Sequence, residues 1–360
     1  MEKAKQITII GAGLSGLMTA YLLKKAGLTV RILEASGRIG GRVHTQEGKL
    51  GTPLELGATW FSDQHVRLTA LVAGLGLAKF PQFSEGVSFL QTARSFEPAQ
   101  QIHVPATNRP SYRIAGGTQA LIEALIAAVG IETVVLHCPV TQVVATADGL
   151  TAYSSNGKSF LSDAIVTCLP PQLVASKIVF IPALPASIRE ILPTVQTWMA
   201  GSVKFTIEYK AHFWRDRQLS GMLYSHAGTV VEMYDHTNYD GDRFGFTGFL
   251  NADTRTYTQE IRRAHVLRQL QEAFGNDVLD AVAYYDKVWD DEYVLSDNPA
   301  IKQPHQNNGH PCFQQAYMDG RLFFSGSETS PLYGGYMEGA VIAAERTVDR
   351  IVKGRTSLCH

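Results

Sequence analysis

Residues Ile7–Arg42 read ITIIGAGLSGLMTAYLLKKAGLTVRILEASGRIGGR, and the rest of the chain is organised around them. Ile7–Ile10 is a short apolar run, the pattern of a buried strand. Gly11, Gly13 and Gly16 follow with the spacing G-x-G-x-x-G. Leu14, Leu17, Met18, Tyr21, Leu22 and Leu23 then recur at helical spacing, and Gly27 stands where a helix ends on a C′ glycine. Thr29–Leu33 is a second strand pattern, with Glu34 at its end. This order carries a chemistry. Gly11 permits a tight turn, Gly13 lets the backbone approach a pyrophosphate, and Gly16 lets the helix pack against the strand. Leu14 and Ser15 open a helix whose free N–H groups and dipole attract phosphate charge. Glu34, with Ala35 beside it, lies where a carboxylate takes the ribose hydroxyls of an adenosine.

Arg38-Ile39-Gly40-Gly41-Arg42 follows directly. Gly40 and Gly41 allow close backbone approach, and the guanidiniums of Arg38 and Arg42 can offset pyrophosphate charge. That demand fits a large, deeply buried FAD better than NAD.

Composition sets the outer bounds. A chain of 360 residues can bury a large core, and its length suggests two domains. A net charge of −1 gives no general basic field, so a nucleic-acid partner is not expected. Cys138, Cys168, Cys312 and Cys359 form no C-x-x-C pair, which argues against a zinc or dithiol site and for reduced thiols in a cytoplasmic protein. No other metal site is expected. The start, MEKAKQITII, lacks the apolar core of a signal peptide, and no run of about 18 apolar residues suggests a membrane span.

Further along, a helix is expected over His65–Leu77, and short strands at Val87–Leu90 and Gln101–Val104. Gly116-Gly117 precedes a helix at Gln119–Ala128 and a strand at Thr133–Leu136. Thr141–Ala147, Leu150–Ser154, Lys158–Leu161 and Ala164–Thr167 read as a meander, with hairpin turns at Asp148-Gly149 and Asn156-Gly157. Ile181–Pro193, with three prolines, reads as a crossover. Ser202–Tyr209 alternates strictly: Val203, Phe205, Ile207 and Tyr209 on one face, Lys204, Thr206 and Glu208 on the other. Periodicity alone makes Lys204 a solvated lysine. Strands at Met222–Tyr224, Thr229–Tyr234 and Phe244–Leu250, a helix at Tyr257–Phe274 on a stripe of Ile261, Leu267, Leu270 and Phe274, and a strand at Ala281–Trp289 complete an α+β region. The Asn-rich loop holding His305 and His310 reads as surface, and Asp286, Asp290, Asp291 and Glu292 as an acidic patch without evident pairing.

The opening stretch, with Asp163–Pro171 (DAIVTCLPP) and Arg321–Ile351 (RLFFSGSETSPLYGGYMEGAVIAAERTVDRI), resembles the flavin-containing amine oxidase family, whose members include monoamine oxidases, and related desaturases. The resemblance covers both ends of the chain. It implies an α/β fold: a discontinuous Rossmann-like FAD-binding domain at 1–80, 111–195 and 305–360, with an inserted α+β substrate domain on a mixed sheet at 81–110 and 196–304. It implies that Gly57, Ala58 and Thr59 lie against the flavin, that Val140 contacts the adenine end through its backbone, and that Gly326 and Glu328 meet the ribityl or pyrophosphate part. Tyr336 and Met337 open a helix whose N–H groups stabilise negative charge on the ring. Trp60 and Tyr336 line the substrate cavity, and Lys204 matches the lysine that holds a water against flavin N5.

Two departures alter what the resemblance implies. Only fifty residues separate Phe61 from Tyr112, so the helical insert that roofs the cavity in larger members is absent. The second cage aromatic and the flavin-linking cysteine, counted from Trp289, fall at Asn298-Pro299. FAD is therefore expected to be noncovalent and the aromatic cage half present. The function expected is oxidation of an amine C–N bond to an imine by hydride transfer to flavin N5, with O2 as acceptor and H2O2 as product. The alternatives are a desaturase or dehydrogenase acting on a C–C bond of a larger substrate, and a flavin-binding partner protein without turnover.

Overall fold

The computed structural model describes residues 5–92, 99–105, 107, 109–291 and 293–356, with side chains as far as 353. Its centre is a five-stranded parallel sheet in the order Leu322–Phe324, Ala164–Thr167, Gln6–Ile10, Thr29–Leu33, Val134–Val135. Helices Leu14–Lys25, Gln119–Val129 and Met337–Thr356 pack together on one face, where Leu17, Leu121, Leu125 and Val341 are fully buried with Ile7 and Ile9. The first helix ends as expected: Gly27 has φ +75°, Leu28 N–H donates to Leu23 O (3.0 Å) and Gly27 N–H to Lys24 O (2.9 Å), a Schellman pattern. In such a sheet, ligands bind outside the carboxyl ends of the strands, where the strand order reverses.

The other face is covered by a four-stranded sheet, Ser159–Ser162, Gly149–Ser154, Val140–Thr146 and Val179–Ile181. Between the two sheets Ile10, Leu33, Val143, Ile165 and Leu322 form a second core. One expectation changes here. The meander ends before Ala164–Thr167, which pairs with Gln6–Ile10, as the resemblance of Asp163–Pro171 to the returning strand of the FAD domain implies. Just ahead of the proline-rich crossover, and sharing only Ile181 with it, Val179–Ile181 adds a strand parallel to Val140–Thr146.

A seven-stranded mixed sheet runs Ala283–Val288, Val203–Tyr209, Phe244–Leu250, Val230–Asp235, Leu219–Ser225, Gly86–Gln91, Gln100–Val104. Helix Gln259–Phe274 covers one face; the Thr258 side chain caps its start and Gly275 (φ +83°) ends it. Its buried apolar stripe is Val266, Leu270 and Phe274, against Phe205, Ile207 and Phe246. Each such side chain contributes roughly 1.5–3 kcal/mol by leaving water. Ile261, expected in that stripe, is 44% exposed, because the buried face runs through Arg262, Val266, Leu270 and Phe274 at four-residue spacing and Ile261 lies one position to its side.

The acidic patch is paired. Asp286 meets Arg262 (2.8 Å), Asp290 meets Arg255 (3.5 Å) and Asp291 meets Lys287 (3.2 Å), while Glu292 lies outside the described residues. Among the described residues no helix is long and apolar enough to cross a membrane, and no three metal-ligating side chains cluster. Cys138, Cys168 and Cys312 are free thiols; Cys359 lies outside the described residues.

Candidate functional site

The glycine turn sits at the carboxyl end of the central strand. Gly11 has φ +102°, and a Cβ at Gly16 would fall inside the Gly11 carbonyl oxygen, so strand and helix meet at backbone contact. Gly13 bridges to Gly40, whose N–H donates to Ala12 O (2.9 Å). The helix starting at Leu14 has no acidic side chain in its first turn to compete for its N–H groups. Ser15 Oγ donates to the carbonyl of Ser325, and Ser325 Oγ is buried with no protein partner. Glu34 receives Ala12 N–H (2.7 Å) on one oxygen and Ser36 N–H (2.9 Å) on the other. Beyond Glu34 and Ala35, His137 N–H donates to Ser36 O (3.1 Å) and Cys138 N–H to Glu34 O (2.8 Å). Val140 follows, its side chain in the second core. A glycine cradle, a free helix start and a carboxylate at the next strand end fit a dinucleotide.

The arginines are fixed by protein groups. Arg38 wraps its own loop, donating to Val43 O (3.0 Å) and to Gly41 O. Arg42 pairs with the buried Glu328 at 2.6 and 3.1 Å and donates to Ser327 Oγ at 2.8 Å. Glu328 thus sits on Arg42, beside Gly326 at the end of the last strand. Gly57 has no room for a side chain: a Cβ would lie 2.5 Å from His44 N. Ala58 N–H donates to Arg42 O (3.0 Å), which binds this segment to the arginine loop.

Lys204 is buried, against the reading of a solvated lysine. The second face of strand Val203–Tyr209 packs on residues 50–59 rather than facing water. Glu208 accepts Leu50 N–H (3.0 Å) and Thr52 N–H (3.2 Å). Lys204 Nζ donates to Gly57 O (2.7 Å) and to Thr59 Oγ1, and lies over the rings of Trp60 (4.7 Å) and Phe249 (5.5 Å). Burial pulls its pKa down to about 7; Glu55 opposes that and Arg113 adds to it. Trp60 donates Nε1–H to Gln82 (2.8 Å) and meets Tyr234 edge-on at 5.0 Å. Glu55 is buried and its pKa raised by desolvation, against the pull of Lys204. Arg113 can only donate, so His236 Nδ1 accepts from it (2.7 Å) and Nε2–H goes to Pro53 O (3.1 Å). That neutral tautomer agrees with a His236 pKa held well below its usual value by burial.

Tyr336 stands just ahead of helix Met337–Thr356, in which Met337 is buried. Its ring packs against Trp198 (5.4 Å) and lies nearly parallel to His305 (5.5 Å), and Trp198 stacks on His305 at 4.1 Å. Asn298 is elsewhere: its amide binds Pro193 O (2.6 Å). His305 therefore belongs to a ring stack and not to a bare surface loop, and its Nδ1 meets Gly334 O at 3.1 Å. Gly335 (φ +88°) is explained by the same stack, since a Cβ there would meet the Trp198 Cβ at 2.5 Å. Tyr336 is 37% exposed, and Val66 and Leu332 are each 63% exposed. The His65 ring touches Tyr333 (4.9 Å), and Glu338 caps the helix that begins at Val66.

Sequence reading brought out Lys204, Trp60, Tyr336 and the glycine turn, and missed Trp198, His305, Glu55 and Arg113. Trp198 had one available signal, the glycine pair before Tyr336. Glu55 and Arg113 had another: each is a charge inside an otherwise apolar strand run, PLELG and YRIAG.

The model of flavin containing amine oxidoreductases matches residues 14–96 and 83–352. The chain belongs to that family, and with it to the flavin-dependent enzymes. A probable flavin-containing monoamine oxidase A of Dictyostelium discoideum is 24% identical, with 98% of each chain covered. That alignment extends over 458 positions, well beyond the 360 residues of this chain. Putrescine oxidase of Kocuria rosea is 24% identical over 78% of this chain and 81% of its own. In fold the chain is similar to cyclohexylamine oxidase from Brevibacterium oxydans, with a TM-score of 0.86 at 20% identity, covering 98% of this chain and all of the other.

Proposed function

We propose that the protein oxidises the C–N bond of an amine to an imine, using noncovalently bound FAD and passing electrons to O2 to give H2O2. When bound, FAD supplies the two-electron acceptor. The buried Lys204 carries the proposal. An ammonium held on Gly57 O and Thr59 Oγ1 still has a third N–H, and burial brings its pKa to about 7, so it can hold or release a proton near neutrality. The turn of Gly11, Gly13, Leu14, Ser15 and Gly16 would take the pyrophosphate and Glu34-Ala35 the adenosine ribose. Arg38, Gly41, Arg42, Gly57, Ala58, Thr59, Val140, Gly326, Glu328 and Met337 would form the remaining walls of the cofactor site. On this reading residues 1–80, 111–195 and 305–360 hold the cofactor, and 81–110 with 196–304 hold the substrate.

Trp198 and Tyr336 offer aromatic rings that attract a cationic amine, a contact of about 0.5–2 kcal/mol. Trp60 closes the side nearest Lys204. The exposed Val66 and Leu332 suit a substrate whose apolar part extends beyond the ring stack. That open rim also favours the second reading, oxidation of a C–C bond in a larger substrate.

The test is an absorbance spectrum of the purified protein before and after anaerobic addition of primary, secondary and tertiary amines. A yellow protein bleached by an amine, with colour and peroxide returning in air, is expected. A yellow protein that no amine bleaches would move the assignment to the C–C reading. A protein that takes up no FAD would overturn both.

A further inference from the structure

Strand Lys79–Pro81 pairs antiparallel with Tyr112–Ile114, and just beyond it Gln82 N–H donates to Ser111 O (2.7 Å). Gln82 and Ser111 thus form a neck. The chain between them runs out to strands Gly86–Gln91 and Gln100–Val104, at one edge of the seven-stranded sheet, and returns. The Gln82 side chain does not follow that excursion. It is buried and turns back onto Trp60. Its Oε1 accepts the indole Nε1–H (2.8 Å), while its Nε2 donates to Phe83 O (3.0 Å) and Asp235 O (2.7 Å). Chemistry decides the direction of the amide. An indole N–H only donates and a carbonyl only accepts, so the oxygen faces Trp60 and the nitrogen faces the two carbonyls.

The footing of this amide is rigid. Asp235 is fully buried, and its carboxylate takes Arg215 at 2.8 and 2.9 Å, Trp214 Nε1–H at 2.7 Å and Thr237 N–H at 2.8 Å. Arg215 also lies over the Phe83 ring at 4.0 Å. Around the Trp60 ring stand Tyr234 edge-on at 5.0 Å, Phe249 at 6.2 Å and Lys204 Nζ at 4.7 Å. Those contacts are weakly directional. The Nε1–H is the one polar group of the ring, and Gln82 takes it in a directional bond.

We propose that Gln82 is a positioning residue that fixes the orientation of the Trp60 ring, and with it the wall of the substrate cavity beside Lys204. The proposal rests on the reading that Trp60 lines that cavity. The clamp is uncharged, so it holds equally at every pH at which the protein is folded. A glutamate there would set a carboxylate against the carbonyls of Phe83 and Asp235. An asparagine, one methylene shorter, would not reach both Trp60 and Asp235.

The test uses the flavin-loaded protein and the variants Q82M, W60F and Q82M/W60F. Methionine keeps the length of the side chain and removes all three of its bonds; phenylalanine keeps a ring on the wall and removes the N–H. The first readout is Trp60 fluorescence, isolated as the difference between each chain and its W60F partner, together with its quenching by acrylamide. In Q82M that emission should shift in wavelength and become more readily quenched. The second readout is kcat/KM for an amine the protein oxidises. Q82M should lower it on the order of tenfold, the factor that a buried polar group left unpaired costs, and by the same factor at every pH. In the W60F background Q82M should lower it little further, since no N–H remains to be held. A glutamine that merely supported the fold would act equally in both backgrounds. An unchanged Trp60 emission in Q82M, or equal losses of kcat/KM in both backgrounds, overturns the proposal. If Q82M does not fold, Q82N is read in the same way. The emission readout needs no turnover, so a protein that oxidises no amine would refute the assigned reaction and still show whether Gln82 holds Trp60. An unaltered kcat/KM in W60F would take Trp60 off the cavity wall and the proposal with it.

Discussion

Replacing Lys204 by methionine should change how stability depends on pH more than it changes stability itself. The methionine keeps a long apolar stem between Trp60 and Phe249 and removes the ammonium. In the folded protein Lys204 titrates at about 7 because burial disfavours its charge. In the unfolded chain a lysine titrates near its ordinary value, about 10.4. Between those values the unfolded chain holds a proton that the folded chain has released, so stability rises with pH. From pH 7 to pH 9 the folded lysine goes from half charged to neutral while the unfolded one stays charged, a gain of about 2 kcal/mol at 1.36 kcal/mol per unit. Below pH 6 both forms are protonated and the curve is flat. Glu55, raised by burial, contributes with the opposite sign, losing stability as pH rises above the ordinary carboxylate range. An E55Q background removes that contribution; it also withdraws a charge that raises Lys204, so the rise starts below pH 7 and the gain from pH 7 to 9 becomes about 2–3 kcal/mol. The assay is urea unfolding at pH 6, 7, 8 and 9 for E55Q and E55Q/K204M. The K204M curve should lack the rise of about 2–3 kcal/mol between pH 7 and 9. Parallel curves over that range would mean that Lys204 is not a desolvated amine, and the reasoning from its burial would fail.

Gly16→Ala puts a Cβ into the Gly11 carbonyl, so helix and strand must separate; overpacking of this kind costs about 1–3 kcal/mol. The urea midpoint should fall and the purified protein should lose its flavin absorbance. Arg42→Met leaves Glu328 buried beside an empty partner position, a loss of about 3–5 kcal/mol when one member of a buried pair is removed. Thermal unfolding should show that loss, and Glu328→Gln in the same chain should recover part of it.

The parallel sheet was legible because its signals are local. Its strands are short apolar runs, Gln6–Ile10 ended by Gly11 and Thr29–Leu33 by Glu34, and Ala164–Thr167 falls on its expected bounds, as does Phe244–Leu250 in the seven-stranded sheet. Pairing was less legible, because Ala164–Thr167 follows a hairpin series in sequence yet belongs to another sheet. Alternation in Ser202–Tyr209 correctly separated two faces, but it cannot say what covers the polar one. Residues 50–59 come from a segment about 150 positions earlier, and only the assembled fold brings Gly57 O to Lys204. The ring stack fails a counting argument for a similar reason. Counting from Trp289 assumes a loop of family length, and this chain instead brings Trp198 and His305 to Tyr336 from two separate connections.

The buried polar face of strand Val203–Tyr209 ties the two parts of this reasoning together. A strand with water on one side can slip or tolerate change there at little cost. Here Lys204, Thr206 and Glu208 are all buried, and Lys204 and Glu208 bond backbone groups of residues 50–59. A one-residue slip would exchange those polar groups with Phe205 and Ile207 and leave the carbonyl of Gly57 and the N–H groups of Leu50 and Thr52 without partners. The register of the seven-stranded sheet is therefore fixed by the same bonds that place an amine beside Trp60. Weakening the Lys204 anchor should loosen the contact between the sheet and the glycine-rich segment together, so hydrogen exchange at Leu50 and Thr52 is expected to accelerate in K204M even though neither touches Lys204.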